Sequence, residues 1–317
     1  MSDTKIKLAL IAGGMSAERD VSLSGAKEVE KALNPAKYDI VRYDPKYDLQ
    51  KLVADTAKLD VAFILLHGRY GEDGTMQGML DLLGLPYQGS GVLGSSLAMD
   101  KHLSKVIYKA AGMETPEWLL LEKVQDLKRD EVLSRLGLPV IVKPACQGSS
   151  VGMSKVKSVD ELQPAVEEAF RHDSRVVIEE FVAGRELTAG VIGMSELQAL
   201  PIVEIIPKEG HDFFDTDAKY KKGECEEICP AELPEDVANA AKSLGIMAHK
   251  ALNLSGYSRT DLILSDKGIL YVLETNTIPG MTPTSLLPQA AEKAGIPFSR
   301  LLDMLIEFAL EKRLSSS

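Results

Sequence analysis

Apolar residues along the first third of the chain follow two alternating rhythms. Short apolar runs at Lys7–Ala12, Tyr38–Tyr43 and Val61–Leu66 read as strands. Between them, Ser24–Leu33 has a helical spacing that stops at Asn34-Pro35, where the proline ring cannot continue the ladder. Thr75–Leu83 reads as a further helix, closed by Gly84. Strands alternating with helices predict a parallel, doubly wound sheet. Ligands of such sheets collect in the loops beyond the carboxyl ends of the strands, where Gly13-Gly14 and His67-Gly68 fall.

Downstream the pattern changes. A helix over Gly94–Ala111 leads into a second lobe with strands at Trp118–Leu121, Val140–Lys143, Gly152–Val156 and Arg175–Glu180, and helices at Asp130–Leu136 and Val159–Phe170. The last portion reads as more antiparallel, with strands near Arg185–Ile192 and Pro201–Ile206, a polar stretch over 208–226 and a helix near Pro234–Leu252. Tyr257–Leu264 and Ile269–Glu274 form a hairpin through the turn Ser265-Asp266-Lys267-Gly268, and Phe298–Leu314 is an amphipathic helix. No internal repeat or low-complexity segment interrupts this order.

A chain of 317 residues can build two or three lobes with well-covered cores. Its 36 basic against 47 acidic residues leave a net charge of −11, which argues against nucleic acid or an anionic membrane as partner. A local basic pocket for phosphates remains compatible with that balance. Three cysteines (Cys146, Cys225, Cys229) lack both a disulfide framework and zinc spacing. The N-terminal apolar stretch is short and runs into glycines, so it reads as a strand rather than a secretory signal. A cytoplasmic protein is expected.

Two segments carry candidate chemistry. In RTDLILSDKGILYVLETN, Glu274 and Asn276 share one face of a strand and Asp261 lies on the hairpin partner. Three oxygen-bearing side chains on one sheet surface suit Mg²⁺, although the same spacing also describes a solvated hairpin face. In PVIVKPACQGSSVGMSKV, Lys143 ends an apolar strand and Gly148, Ser149, Ser150 and Gly152 could cradle phosphate oxygens, or simply make a turn. A lysine inside VIVKP must reach solvent or meet an anion. Lys101, in MDKHLSK, is a second possible phosphate contact. Neither a Walker loop nor a GxGxxG fingerprint is present.

Taken in order, GGMSAERDVS (13–22), HGRYGEDGTMQG (67–78), PYQGS (86–90), MDK (99–101), VKPACQGSSVGMSKV (142–156), AKY (218–220), RTD (259–261) and ETNTIPGMTPTSLLP (274–288) resemble the D-alanine–D-alanine ligases of the ATP-grasp superfamily. The resemblance implies an α/β fold, α+β in part: a doubly wound lobe over 1–97, then two ATP-grasp lobes over 98–184 and 185–317 that sandwich ATP, with 208–226 as a lid. It implies Asp261, Glu274 and Asn276 as ligands of two Mg²⁺ ions (Mn²⁺ as a possible substitute), with Lys101 and Lys143 on the phosphates and Ser149 and Ser150 in the loop closing over them. Glu179 or Glu180, with Phe181 and Val182, matches the adenine hinge, and Glu186 the ribose contact. Glu18 matches the anchor for the amino group of the first D-alanine, with His67 near its carboxylate. Ser285 and Leu286 match the site for the second substrate's carboxylate. Arg259 and the Gly280 N–H match an oxyanion site, and Lys219 and Tyr220 a mobile loop linked to Glu18 and Ser149.

The activity implied is ATP-dependent joining of two D-alanines through an acyl phosphate for peptidoglycan precursors, in a homodimer. Cys146-Gln147 departs from the charged pair common in the family, and Arg19 stands where histidine is frequent. The rival readings are another ATP-grasp carboxylate–amine ligase, separated by the Glu18, Tyr220 and Ser285 positions, and a silent nucleotide-binding regulator. The latter would be expected to lack one of Lys143, Arg259, Asp261, Glu274 or Asn276, all of which are present.

Overall fold

The computed structural model describes residues 5–148, 151–207 and 225–315, with side chains through residue 312. Strands β1 (Ile6–Ile11), β2 (Tyr38–Tyr43) and β3 (Val61–Ile64) form a parallel sheet in the order β2-β1-β3. Alternate residues enter two different cores. Leu8, Leu10, Val61 and Phe63 pack on one side, and Ala9, Ile11, Ala62 and Ile64 on the other. A strand covered on both faces has no polar side to show, which explains the unbroken apolar runs.

The helix Arg19–Ala32 contributes Ala26 and Val29 to the first core, and the helix Thr75–Leu83 contributes Met76 and Leu80 to the second. A helix over Pro45–Asp55, not anticipated from the pattern, covers the second core through Leu52. Its signal is local: Asp44 accepts from the Lys46 N–H at 3.0 Å and Pro45 occupies the first turn.

The helix expected over Gly94–Ala111 is two helices, Val92–Met99 and Lys101–Ala110. Asp100 breaks the run by adopting an extended backbone (ψ 103°), and its carboxylate caps the second helix through the N–H groups of His102 and Leu103. Capping by aspartate competes with continued helix at that position.

The middle lobe is a four-stranded antiparallel sheet of β4 (Trp118–Leu121), β5 (Val140–Pro144), β6 (Ser154–Val156) and β7 (Val176–Glu180), ordered β4-β7-β5-β6. The helix Val159–Phe170 seals one face with Leu162, Val166 and Ala169.

The third sheet holds β8 (Gly184–Gly193), β9 (Leu197–Ala199), β10 (Val203–Pro207), β11 (Cys225–Ile228), β12 (Gly256–Ser265) and β13 (Leu270–Asn276). Its order is β11-β10-β8-β12-β13, with β9 on β8, and every pairing is antiparallel. The helix Glu235–Ala251 packs Ala241 and Ala248 against Leu187, Ala189, Leu262 and Val272. The last helices, Leu286–Lys293 and Phe298–Ser315, return to the first sheet, where Leu287, Leu301 and Leu305 join Leu8, Leu10 and Phe63. That return fastens the segment after β13 to the lobe that carries Gly13-Gly14 and His67.

Candidate active site

An open cleft of about 990 Å³, counted with the solvent in its mouth, separates the middle sheet from the third sheet. Ile141 and Met153 wall it from one side, and Leu187, Ile205, Leu262 and Ile263 from the other. Lys101, Lys143, Glu179, Glu180, Phe181, Val182, Glu186, Asp261 and Glu274, all singled out from the sequence, border it.

The β12–β13 register sets the acidic end. Asp261 pairs with Glu274 and Arg259 with Asn276, and the register shifts between Asp261 and Leu262. The shift leaves Leu273 as an extra residue on β13, and both Leu273 and Glu274 border the cleft. Asp261 takes a two-pronged contact from Arg259 (Nε 2.8 Å, Nη2 2.9 Å) and a third from Asn276 Nδ2 at 3.1 Å.

Two lysines face these carboxylates. Lys101, first residue of its helix, donates from Nζ to the Gln147 carbonyl at 2.6 Å and stands 3.7 Å from Glu274 Oε2. Lys143 on β5 donates to Glu179 Oε1 at 3.0 Å. The other carboxylate oxygen of Glu179 meets Lys105 at 2.6 Å. Burial alone would raise the Glu179 carboxyl, but the two ammonium groups hold it below the usual carboxylate range. Burial pushes Lys105 down to about 8 against the pull of Glu179.

A second cluster joins the first lobe to the third. Ser16 donates to the His67 carbonyl at 2.7 Å and accepts the Glu18 N–H at 3.2 Å, which places Glu18 at the head of the helix Arg19–Ala32. The Gly68 N–H donates to Glu72 Oε2 at 2.6 Å. Burial, reinforced by the charge of Glu18, pushes the Glu72 carboxyl up to about 8. Burial also lowers His67, opposed by Glu18 and aided by Arg259, so the four ionisable groups share one field. Farther along, a β-carbon on Gly280 would stand 3.0 Å from Ser285 Oγ. Ser285 precedes the helix Leu286–Lys293, whose first-turn N–H groups suit a carboxylate. Ser149, Ser150, Lys219 and Tyr220 lie outside the described residues, as does the lid expected over 208–226 except for Cys225 and Glu226 in β11.

Comparison with known proteins decides the family. The family model described as "D-ala D-ala ligase C-terminus" matches residues 107–307, and that described as "D-ala D-ala ligase N-terminus" matches 42–90. A D-alanine–D-alanine ligase of Syntrophobacter fumaroxidans is 54% identical over 98% of this chain and 100% of its own. The chain belongs to the D-alanine–D-alanine ligase family. Its fold is shared with a Bacillus anthracis D-alanine–D-alanine ligase solved in complex with ATP, at 39% identity and TM-score 0.86, covering 98% of this chain and 100% of that one. The D-Ala:D-Ser ligase VanG of Enterococcus faecalis superposes at TM-score 0.83 with 31% identity, over 96% and 100% of the two chains. The ATP-grasp architecture expected from the motifs is the one observed.

The departures from the family pattern have local partners. Arg19 forks onto Asp44 at 2.5 and 3.0 Å and donates to the Gly14 carbonyl at 2.8 Å, fastening the glycine loop to the Pro45 helix. Cys146 receives Arg175 Nη2 on its sulfur at 3.3 Å, while the same guanidinium pairs with Asp100 at 2.5 Å. Burial pushes the Cys146 thiol up to about 11, so it packs as a neutral group. Gln147 Nε2 donates to the His172 carbonyl at 2.8 Å. Glu72 and Lys105 were not singled out from sequence. Lys105 follows Lys101 by four residues on one helical face, and Glu72 sits inside HGRYGE; those spacings are their only sequence signal.

Proposed function

We propose that this chain joins two D-alanine molecules into D-alanyl-D-alanine, converting ATP to ADP and phosphate through a D-alanyl phosphate, in support of peptidoglycan synthesis. The observation that carries the reading is the cleft itself: Lys101, Lys143, Asp261 and Glu274 all border it, and a separate Glu18–His67–Arg259 cluster adjoins.

The nucleotide lies between the two sheets, with adenine at Glu179–Val182, ribose on Glu186 and phosphates toward Lys101 and Lys143. The carboxylate oxygen of the first D-alanine attacks the γ-phosphorus, the bond to ADP breaks, and an acyl phosphate forms. Glu18 holds the first amino group and His67 lies by the carboxylate. The second amine, its carboxylate held by Ser285 and Leu286, attacks the acyl carbon. Arg259 and the Gly280 N–H receive the oxyanion, and phosphate leaves as the amine gives up its proton. Ser149 and Tyr220 are assigned to that proton, and Lys219 to the nucleotide side of a lid that keeps water from the acyl phosphate.

Mg²⁺ fits the donor set. Asp261 and Glu274 are cross-strand neighbours offering hard oxygens, Asn276 adds an amide, and ATP phosphates can complete an octahedron. When bound, the ions would offset charge on the transferring phosphoryl group. We read the lobes as 1–97, 98–184 and 185–317. The enzyme is read as a homodimer through the first lobe, where Met15, Leu49 and Tyr70 line one apolar cavity and the exposed Tyr47 follows Pro45 of the same wall. A cytoplasmic site is proposed because ATP is supplied there; the three cysteines are free, and among the described residues no helix is long and apolar enough to cross a membrane.

Phosphate release from ATP and Mg²⁺ with each D-amino acid in turn, L-alanine as control and D-serine and D-lactate in the panel, tests the reading. D-alanine-dependent release with a dipeptide of the right mass is expected. Release with another pair in preference overturns the substrate assignment.

A further inference from the structure

Lys105 is fully buried, yet it does not border the cleft. Its Nζ donates to Thr115 Oγ1 at 2.8 Å and to the Pro116 carbonyl at 3.1 Å, and it pairs as an ion with Glu179 Oε2 at 2.6 Å. Its Nζ also lies 5.5 Å from the centre of the Trp118 ring. Such a lysine is costly to bury and cannot itself reach a nucleotide. Its one ion-pair partner is the carboxylate it shares with Lys143.

We propose that Lys105 is a positioning residue for Lys143: by serving as the permanent counter-ion of Glu179, it leaves Lys143 able to turn from that carboxylate to a nucleotide phosphate. The inference rests on the ATP-binding reading above. Two cations on one buried anion leave one positive charge in excess, directed at the cleft through Lys143. Were Lys143 the sole partner of Glu179, moving it to a phosphate would strand a buried carboxylate. With Lys105 in place, Glu179 stays paired in both positions of Lys143. A helix-to-strand strut would explain the burial of Lys105 equally well, so the test must read nucleotide charge rather than stability.

Binding of ATP and of adenosine to the full-length protein would be measured by calorimetry, alongside kcat and KM for ATP. The set comprises the unaltered chain, Lys105→Met, Glu179→Gln and the double variant. In Lys105→Met, Glu179 captures Lys143. ATP affinity is then expected to fall roughly tenfold while adenosine affinity holds within about twofold, with KM carrying the change more than kcat. Unchanged ATP affinity, or equal loss of ATP and adenosine, overturns the proposal. Should Lys105→Met fail to fold, the double variant decides. With Glu179 neutral, Lys105 loses its task, so Lys105→Met/Glu179→Gln is expected to bind ATP as Glu179→Gln does. A further loss in the double variant overturns the proposal. Failure of the unaltered chain to bind ATP would instead sink the ligase reading, and this inference with it.

Discussion

The bare α-carbon of Gly148 rests against the carboxylate of Glu18: a β-carbon there would stand 2.7 Å from Glu18 Oε2. Gly68 closes on the same oxygen, where a β-carbon would stand 2.6 Å away. The phosphate loop of the middle lobe and the glycine loop of the first lobe therefore meet on one carboxylate. In the function proposed above, this contact would join the γ-phosphate end of the cleft to the amino-group anchor of the first substrate. Gly148→Ala is expected to swing the Glu18 carboxylate aside and raise KM for D-alanine roughly tenfold, because the group proposed to hold its amine loses its place. The loop is peripheral to the cores, so the Tm is expected to hold. Steady-state kinetics beside a thermal melt check this, and full activity would remove Glu18 from the substrate site.

Asp261 bonds to Arg259 and Asn276 while facing Glu274 across the ladder, which puts it between the metal and oxyanion sites proposed above. Asp261→Asn keeps the shape but removes a hard anionic ligand and the counter-charge of Arg259. Turnover is expected to fall roughly 100-fold, and the Mg²⁺ concentration for half-maximal rate to rise. A titration of rate against Mg²⁺ checks both. Loss of rate with an unchanged Mg²⁺ dependence would assign Asp261 to Arg259 alone.

Most of the fold could be read from the chain because its patterning is local. Trp118–Leu121, Thr75–Leu83 and Val159–Phe170 form where apolar spacing places them. Asp100 was harder: its cap competes with helical periodicity on both sides, and only the backbone shows which wins. Asp261, Glu274 and Asn276 were legible because strand period and hairpin pairing fix relative positions within one supersecondary unit. Lys105 and Glu72 were not, because what sets them apart is burial among residues far along the chain. Lys105 reaches Glu179, 74 positions on (179 − 105), and Glu72 feels Glu18, on the far side of two crossovers. Spacing carries no record of such encounters.

Glu72 offers a pH test with a definite sign. Its carboxyl is pushed up to about 8 from the ordinary 4.5 by burial and then by Glu18. The unfolded chain thus releases this proton before the folded one, and the folded state loses stability as pH rises from about 4.5 to about 8. Glu72→Gln mimics the protonated acid and cannot ionise. The variant is expected to gain stability relative to the parent across that window and to match it near the acid end. Urea unfolding at pH 5, 7 and 8.5 checks this; a constant difference would show that Glu72 is already ionised in the folded state.

His249 carries the opposite sign. It is buried behind β12, its Nδ1 2.7 Å from Ser258 Oγ, and its Nε2 finds no partner among the described residues. Burial pushes the imidazole down to about 4 from 6.5, so it is neutral in the folded protein at neutral pH. Above pH 6.5 both states hold it neutral and its contribution is complete. As pH falls from about 6.5 to about 4 the unfolded chain takes up the proton first, and stability drains away by up to ~3 kcal/mol. His249→Gln keeps a group able to bond Ser258 and abolishes the titration. The parent is therefore expected to lose its advantage over the variant between pH 7 and pH 4.5, with no matching change between pH 7 and pH 8. Paired urea unfolding curves at those three values measure the difference directly, so shared effects of other groups cancel. A difference that stays flat below pH 6.5 would mean that His249 protonates inside the fold, and that its orphaned Nε2 reaches solvent.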